Sequence, residues 1–153
     1  MKTSTQLTQS LRKWMDAVMH RSMRDWSGFA KASGFSMPQL GILMRLHYRG
    51  NCGISDIRDH MHISTAAASQ LVDRLVQSGL LERTENAEDR RSKDLALSNN
   101  GKSLIQKGIA ERYQWIEALV ETLSPQEQET VLKALPILIE AAQKIAEPRH
   151  ASQ

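Results

Sequence analysis

The fold of this chain is decided by residues 64–101, which read STAAASQLVDRLVQSGLLERTENAEDRRSKDLALSNNG. The first part of this stretch repeats apolar residues at the three- and four-residue spacing of an amphipathic helix, and Gly79 ends that pattern. Two short runs with a strand-like pattern follow at residues 80–85 and 93–97. We therefore predict a helix that leads into a β-hairpin with a polar tip at residues 86–92.

Two further helices are predicted immediately upstream of this stretch. Ser36 is followed three residues later by Gln39, which is the capping-box pattern of a helix start, and the glycines of the loop at 50–53 end that helix. A shorter helix follows, for which Ser55 is the expected N-cap. Because two adjacent short helices and a hairpin follow one another in this order, residues 36–101 predict a winged helix-turn-helix body.

Long helices are predicted on both sides of this body. Residues 4–31 and 102–146 carry long apolar stripes, and the last stripe has the alternating spacing of a coiled-coil seam. Its members are Val131, Leu135, Leu138, Ala142 and Ile145. The body does not need this much additional apolar surface, so we expect both segments to be dimerisation helices. The predicted fold is mainly α with a small β-hairpin wing, forming a single domain over residues 1–153.

Composition excludes several other classes of protein. The 153 residues are 41% hydrophobic and 24% charged, which is ordinary for a globular domain and unlike a disordered chain. No apolar run of membrane-spanning length and no secretory signal are recognisable, so no membrane partner is expected. The single cysteine, Cys52, excludes an intramolecular disulfide and fits a reducing compartment. We therefore expect a cytoplasmic protein.

The distribution of charge is compatible with a polyanionic partner. The net charge is +3, from 20 basic and 17 acidic residues. Residues 1–31 hold six basic and two acidic groups, whereas residues 111–147 hold three and seven. A polyanion would prefer the basic N-terminal segment, although a need for solubility alone also explains this uneven distribution of charge.

Motifs of catalysis are missing from the sequence. It has no phosphate-binding loop, no metalloprotease motif and no nucleophile elbow. The histidines and the cysteine do not have the spacing of a zinc site. We expect no enzymatic activity, no cofactor and no metal site.

The helix within residues 64–79 suits entry into a DNA major groove because its first side chains are small. Gln70 has the donor and acceptor that match adenine, and arginines at the hairpin tip suit phosphates or a narrow minor groove. Of Asp73 and Arg74, one is expected to hold the wing through an ion pair and the other to touch a phosphate. The predicted DNA-binding residues are Thr65, Ala66, Ser69, Gln70, Arg74, Arg90 and Arg91.

These motifs resemble the multiple-antibiotic-resistance regulator (MarR) family over about residues 36–101. Residues 36–40 (SMPQL) resemble the opening helix of the family, and residues 71–75 (LVDRL) resemble the end of its recognition helix. Residues 89–91 (DRR) leading to 95–101 (LALSNNG) resemble its wing motif. The resemblance implies an obligate homodimer with paired terminal helices. It also implies a transcription factor, often a repressor that a small molecule or oxidation releases.

The chain departs from the family pattern at three places. Arg58 and His62 stand where the family usually has a small residue and a glycine, so His62 is expected to need an unusual turn conformation. Gln70 replaces the arginine of many members, which leaves the base preference open. The first helix has no cysteine, which disfavours thiol sensing, and a redox role of Cys52 stays open.

An effector site is also implied by the resemblance, which places crevices between the dimer helices and the DNA-binding body. The candidate ligand-binding residues there are Trp14, His20, Met44 and His47, and the expected effector is a small apolar or aromatic molecule. Methionines at helical spacing in the first helix suit an adaptable pocket, but such a stripe more often indicates core or dimer seam.

The sequence therefore predicts a dimeric, sequence-specific DNA-binding transcriptional regulator, interpreted as a repressor that a small-molecule effector releases. Its partner would be double-stranded DNA with a pseudo-palindromic operator. The alternative is a winged-helix protein-interaction module that does not bind DNA.

Overall fold

The computed structural model describes residues 2–85 and 93–146 of the chain. Within them it has six helices and a two-stranded antiparallel hairpin, which confirms the predicted mainly α fold with a small wing. The elements are α1 (Lys2–Ser33), α2 (Met37–Arg49), α3 (Ile54–Met61), α4 (Thr65–Gln77), β1 (Leu81–Glu85), β2 (Lys93–Leu97), α5 (Asn99–Glu121) and α6 (Pro125–Ala146). They fall into two compact units, Met1–Tyr113 and Gln114–Gln153. No helix in the described part of the chain is long and apolar enough to span a bilayer.

Local capping explains where the helices begin. At α2 the Gln39 amide donates to Ser36 Oγ at 3.4 Å while the Ser36 amide donates to Gln39 Oε1 at 2.9 Å, so the predicted capping box is confirmed. At α4 the Ala67 amide donates to the hydroxyl of Ser64, which is the N-cap of this helix. These bonds satisfy amides that have no partner inside the helix.

The start of α3 differs from the prediction. Its N-cap is Gly53, and Ser55 already lies inside the helix, so the expected N-cap at Ser55 is wrong. The reason is Asp56, whose carboxylate accepts a hydrogen bond from the Gly53 amide at 2.9 Å. A carboxylate in the first turn also interacts favourably with the helix dipole, which favours the earlier start.

The turn between α3 and α4 has the unusual conformation expected at His62. This residue lies in the left-handed region, at φ 53° and ψ 45°, and is the one non-glycine residue with positive φ among those described. Such a conformation is unfavourable by roughly 1–2 kcal/mol for a residue with a side chain. The turn persists because the helices on both sides of it are anchored in the core.

One hydrophobic core joins the elements of the first unit. Its largest fully buried side chains come from α2, α3, α4, both strands and α5, and the end of α1 adds Trp26, Phe29 and Ala30. The fully buried set is Leu40, Ile42, Leu43, Ile57, Val72, Leu75, Leu81, Leu95 and Ile105. Because interiors are packed at crystal-like density, this core fixes α4 relative to its neighbours.

The hairpin is joined to the loop before α3. The register of β1 and β2 pairs Leu81 with Leu97 and Glu85 with Lys93. Cys52 forms a further antiparallel bridge, because its amide donates to the Leu95 carbonyl at 3.3 Å and its carbonyl accepts from the Leu95 amide at 2.8 Å. The base of the wing is therefore anchored on both sides of β2.

Within the first unit α1 packs closely on the first half of α5. A Cβ atom at Gly108 would lie 2.5 Å from the Phe29 ring, so only glycine allows this approach. One turn further along α5, Arg112 donates to the buried Ser22 hydroxyl and its guanidinium lies 5.9 Å from the centre of the Trp26 ring.

The second unit contains the boundary between the last two helices. The Ser124 amide donates to Glu127 Oε2 at 2.8 Å and the Glu127 amide donates to Ser124 Oγ at 3.4 Å, so a capping box begins α6. The Ser124 hydroxyl also donates to Glu127 Oε2 at 2.7 Å, and this bond, together with the one from the Ser124 amide, holds the pKa of the Glu127 carboxyl below its usual value. Much of the apolar surface of α6 is exposed, including Leu132 and Ile137.

The glycine at the start of α5 provides a test of this packing. A Cβ atom at Gly101 would lie 2.1 Å from the backbone oxygen of Leu80, so we expect Gly101→Ala to lower the free energy of unfolding by about 3 kcal/mol. The matched control is Gly28→Ala in α1, where nothing lies within 4 Å and the change should be neutral or stabilising by up to about 1 kcal/mol. Urea denaturation measures both values. Equal effects of the two substitutions would contradict the close approach at Gly101.

Candidate nucleic-acid interface

The candidate interface is the face of α4 that the core does not use. Ala68, Val72 and Leu75 are fully buried on the inner side of the helix. Among the predicted DNA-binding residues on this helix, Ser69 is half-buried and the others face solvent. The solvent-facing ones are Thr65, Ala66, Gln70 and Arg74. The structure thus brings these five predicted residues to the same helix, outside the core.

The first turn of α4 allows a close approach by another molecule. Ser64 Oγ is occupied by the Ala67 amide, and the next side chains, Thr65 and Ala66, are short and exposed. The amino end of a helix carries a partial positive charge, which attracts phosphate groups. This end of α4 therefore suits contact with a nucleic-acid backbone and, beyond it, a groove.

An ion pair joins the recognition helix to the wing. Arg83 in β1 donates a hydrogen bond to Asp73 in α4, and both side chains are partly exposed. Asp73 is thus the member of the 73–74 pair that holds the wing, as one of the two was expected to do. Arg74 is exposed, and its side chain has no ion pair within residues 2–85 and 93–146, which leaves its guanidinium available for a phosphate.

A buried serine that sequence reasoning missed also positions the wing. The Ser98 hydroxyl donates to the Gly79 carbonyl at 2.6 Å and accepts from the Gly101 amide at 3.0 Å. The Ser98 amide donates to the Leu80 carbonyl at 3.1 Å. Ser98 therefore ties the turn after α4 to the end of β2 and the start of α5. Two signals for it were available, namely its place between an alternating strand and a helix start and its position within the motif of residues 95–101.

The arginines of the wing tip, Arg90 and Arg91, lie outside the described residues. The strands that lead to the tip end at Glu85 and begin again at Lys93, which face each other in the last pair of the hairpin. Their predicted contact with DNA stays a prediction from the sequence.

The four candidate effector residues lie at different places in the first unit. Met44 is half-buried and lines a cleft between α2 and α3. Trp14, His20 and His47 do not line this cleft. Trp14 and His20 are exposed on α1. The His47 ring meets the Tyr48 ring edge-on, with 5.0 Å between the ring centroids.

The environment of Cys52 opposes formation of a thiolate. Burial raises the pKa of the Cys52 thiol; the Asp56 and Asp94 carboxylates raise it further, whereas Arg45 opposes them. A raised pKa keeps the thiol protonated at neutral pH, and a protonated, buried thiol is a weak nucleophile. The local chemistry thus agrees with the expectation that disfavours thiol sensing.

Comparison with known proteins identifies the family of this chain. The sequence model of the MarR family matches residues 35–93, which run from just before α2 to the first residue of β2. The HTH-type transcriptional regulator YfiV of Bacillus subtilis is 33% identical over 84% of this chain and 79% of its own length. The chain belongs to the MarR family. It is a DNA-binding transcriptional regulator of the helix-turn-helix type and not an enzyme, and the resemblance recognised in its motifs is confirmed.

Two further comparisons give a related transcriptional repressor and a solved structure with the same fold. The HTH-type transcriptional repressor MdtR of Bacillus subtilis is 28% identical over 94% of this chain and 90% of its own length. The crystal structure of the transcriptional regulator Tm0710 of Thermotoga maritima superposes with a TM-score of 0.80 at 21% identity, covering 89% of this chain and 96% of that one. The second likeness shows that the winged-helix fold is shared.

The ion pair between α4 and the wing of this MarR-family protein is testable by a double-mutant cycle. Asp73→Ala and Arg83→Ala should show a coupling free energy of about 0.2–1 kcal/mol at low salt, because the pair is partly exposed. The coupling should vanish near 1 M salt, where the Debye length is about 3 Å. Thermal unfolding measures it, and the control cycle combines Asp73→Ala with Arg74→Ala, which share no ion pair. If both cycles give the same coupling, Asp73 does not hold the wing.

Proposed function

We propose that this regulator is a homodimer that binds a pseudo-palindromic operator in double-stranded DNA, with α4 of each protomer in a major groove. The observation that carries the proposal is the division of α4 into a fully buried face and an exposed face with a small first turn. A helix held by one face in a core and free on the other can enter a groove without unfolding its support.

Exposed apolar surface supports dimerisation. In the first unit, α1 leaves large apolar side chains exposed along its length, among them Leu7, Trp14, Met15, Met19 and Met23. In the second unit, the apolar residues of α5 and α6 are exposed in the same way; they include Ile116, Leu119, Val131, Leu132, Ile137 and Ile139. Large exposed apolar patches along a helix commonly mark surfaces for protein–protein interaction. We assign it to the interface between two copies, through the dimerisation helices proposed at residues 4–31 and 102–146.

The proposed contacts divide between bases and backbone. The short side chains of Thr65 and Ala66 let the helix enter the groove closely. Ser69 and Gln70 then meet base edges, with Gln70 paired to an adenine through its amide. Arg74 touches a phosphate and adds affinity without sequence preference. The wing arginines Arg90 and Arg91 reach phosphates or the minor groove, which the sequence motif of the wing supports.

Repression with release by a small effector is the mode of action we propose. The relative MdtR is named a transcriptional repressor, which supports repression rather than activation as the mode of regulation. The effector, a small apolar or aromatic molecule, would favour a dimer whose two recognition helices are wrongly spaced for the operator. Trp14, His20, Met44 and His47 remain the proposed effector residues, and the protein is proposed to act in the cytoplasm.

Selection of duplexes from a random pool at near-physiological salt tests the proposed function. We expect enrichment of an inverted repeat whose half-sites lie about 10 base pairs apart, because the two recognition helices of a dimer enter successive major grooves. Enrichment of a single, unrepeated half-site would contradict the dimeric mode. No enrichment in any condition, with binding that salt abolishes, would favour the protein-interaction module instead.

A single glutamine should carry base recognition. Gln70→Ala is expected to weaken binding by about 1–3 kcal/mol at one base position of the selected operator, because one bidentate contact to adenine is lost. The matched control is Gln77→Ala, at the other end of the same helix, which should leave affinity unchanged. Fluorescence anisotropy on a set of single-base operator variants measures both. A uniform loss over all variants would mean that Gln70 contacts the backbone.

A further inference from the structure

The turn between α3 and α4 presents an exposed imidazole on a fixed backbone. His62 lies in this turn, and its side chain is exposed. The amides of His62 and Ile63 both donate to the Arg58 carbonyl, the second at 3.2 Å. Ile63 in turn packs against the hydrophobic core. The position of the His62 backbone is therefore set from both sides, by the end of α3 and by the core.

The backbone conformation of His62 is one that glycine adopts more easily. A left-handed residue with a side chain brings its Cβ atom close to a carbonyl oxygen, and His62 is the one described residue other than glycine that has positive φ. Strain of this kind is concentrated at functional positions. Core packing does not account for the imidazole, because the side chain is exposed. A contact with another molecule does account for it.

The imidazole stands directly before α4, the helix proposed to enter a major groove. Ser64 and Thr65, at the start of that helix, are exposed as His62 is. A recognition helix brings its amino-terminal end to the bases, and the chain before it lies near the phosphates that border the groove. The one basic residue of α4, Arg74, lies in its last turn. His62 is thus placed to supply a cation where α4 has none.

The carboxylates of α3 are engaged within their own helix. Asp56 accepts the Gly53 amide at 2.9 Å, at the far end of α3 from the turn. Asp59 accepts Arg58 Nε at 2.7 Å, and this hydrogen bond, followed by the charges of Arg58 and His62, holds the pKa of the Asp59 carboxyl below its usual value. Because Arg58 already engages Asp59, protonation of His62 gives this group of three residues a net positive charge.

The charged groups on the helices around the turn leave the imidazole available. Asp73 is the one acidic residue of α4, and it is paired with Arg83. Arg45 and Arg49 of α2 border the cleft with α3, where His60 lies on the opposite wall. A phosphate that approaches His62 therefore meets no competing carboxylate from α4.

We propose that the protonated imidazole of His62 binds a backbone phosphate of DNA beside the groove that α4 enters. An imidazolium donates from both ring nitrogens, and its hydrogen bond to a phosphate oxygen is charge-assisted. Imidazole side chains change charge between about pH 5 and pH 8, so the contact forms at the lower pH and is lost as the pH rises. This inference rests on the proposed placement of α4 in a major groove.

Fluorescence anisotropy with the selected operator and with a random-sequence duplex, at about pH 6 and about pH 8, tests the proposal. His62→Asn keeps a residue that tolerates the left-handed backbone but carries no charge. We expect it to weaken binding to both duplexes about threefold to tenfold at the lower pH and to lower the salt slope by about 1 for each protomer bound. The matched control is His60→Gln, on the cleft side of α3, which should change neither quantity.

Two further substitutions separate the contact from the fold. His62→Gly removes the strain together with the imidazole, so the melting temperature should stay the same or rise by up to about 4 °C while binding at the lower pH weakens. His62→Lys should bind equally well at both pH values, because its charge persists. An affinity of the parent protein that does not depend on pH, or a pH dependence that persists in His62→Asn, would overturn the proposal.

Gln70→Ala distinguishes failure of this inference from failure of the proposed function. If Gln70→Ala loses recognition at one base position while His62→Asn binds as the parent does, α4 enters the groove and His62 does not contact a phosphate. The random-sequence duplex reports the contact even without a selected operator, because phosphate contacts are independent of sequence.

Discussion

The close contact between the start of α5 and the turn after α4 is the constraint on which the DNA-binding unit depends. Gly101 lies so near the Leu80 carbonyl that no side chain fits between them, and the Ser98 hydroxyl bonds to both Gly79 and Gly101. The end of α4, the end of the hairpin and the first turn of α5 therefore meet at one rigid point. Because helices are stiff and the core is densely packed, fixing this point also fixes the direction of α4 relative to the wing.

Outward from that junction, the helices bury one face in the core and leave the other face exposed to solvent. On α4, Ala68, Val72 and Leu75 are buried, while Gln70 and Arg74 remain exposed. Asp73 lies beside this exposed face, but its carboxylate forms an ion pair with Arg83 and so holds the wing. The surface proposed for DNA binding consists of the side chains of α4 that are neither buried in the core nor engaged in the ion pair with Arg83.

The same division into a buried and an exposed face is present on α2. Leu43 and Leu46 point into the core, whereas Arg45 and Arg49 border the cleft with α3.

The sequence by itself determined the order of elements and their starts, because helix caps and hydrophobic periodicity depend on residues three or four positions apart. The boxes at Ser36 and Ser124 were predictable for this reason, whereas the unusual turn at His62 was expected because the family usually has glycine at that position. The N-cap expected at Ser55 was wrong because the Asp56 carboxylate accepts a hydrogen bond from the Gly53 amide, which makes Gly53 the N-cap of α3. Only the tertiary structure decided the partners that are distant in the chain: Cys52 with Leu95, Ser98 with Gly79, and Asp73 rather than Arg74 as the anchor of the wing. Local spacing does not encode these choices, because they depend on which surfaces the packed core brings within hydrogen-bond distance.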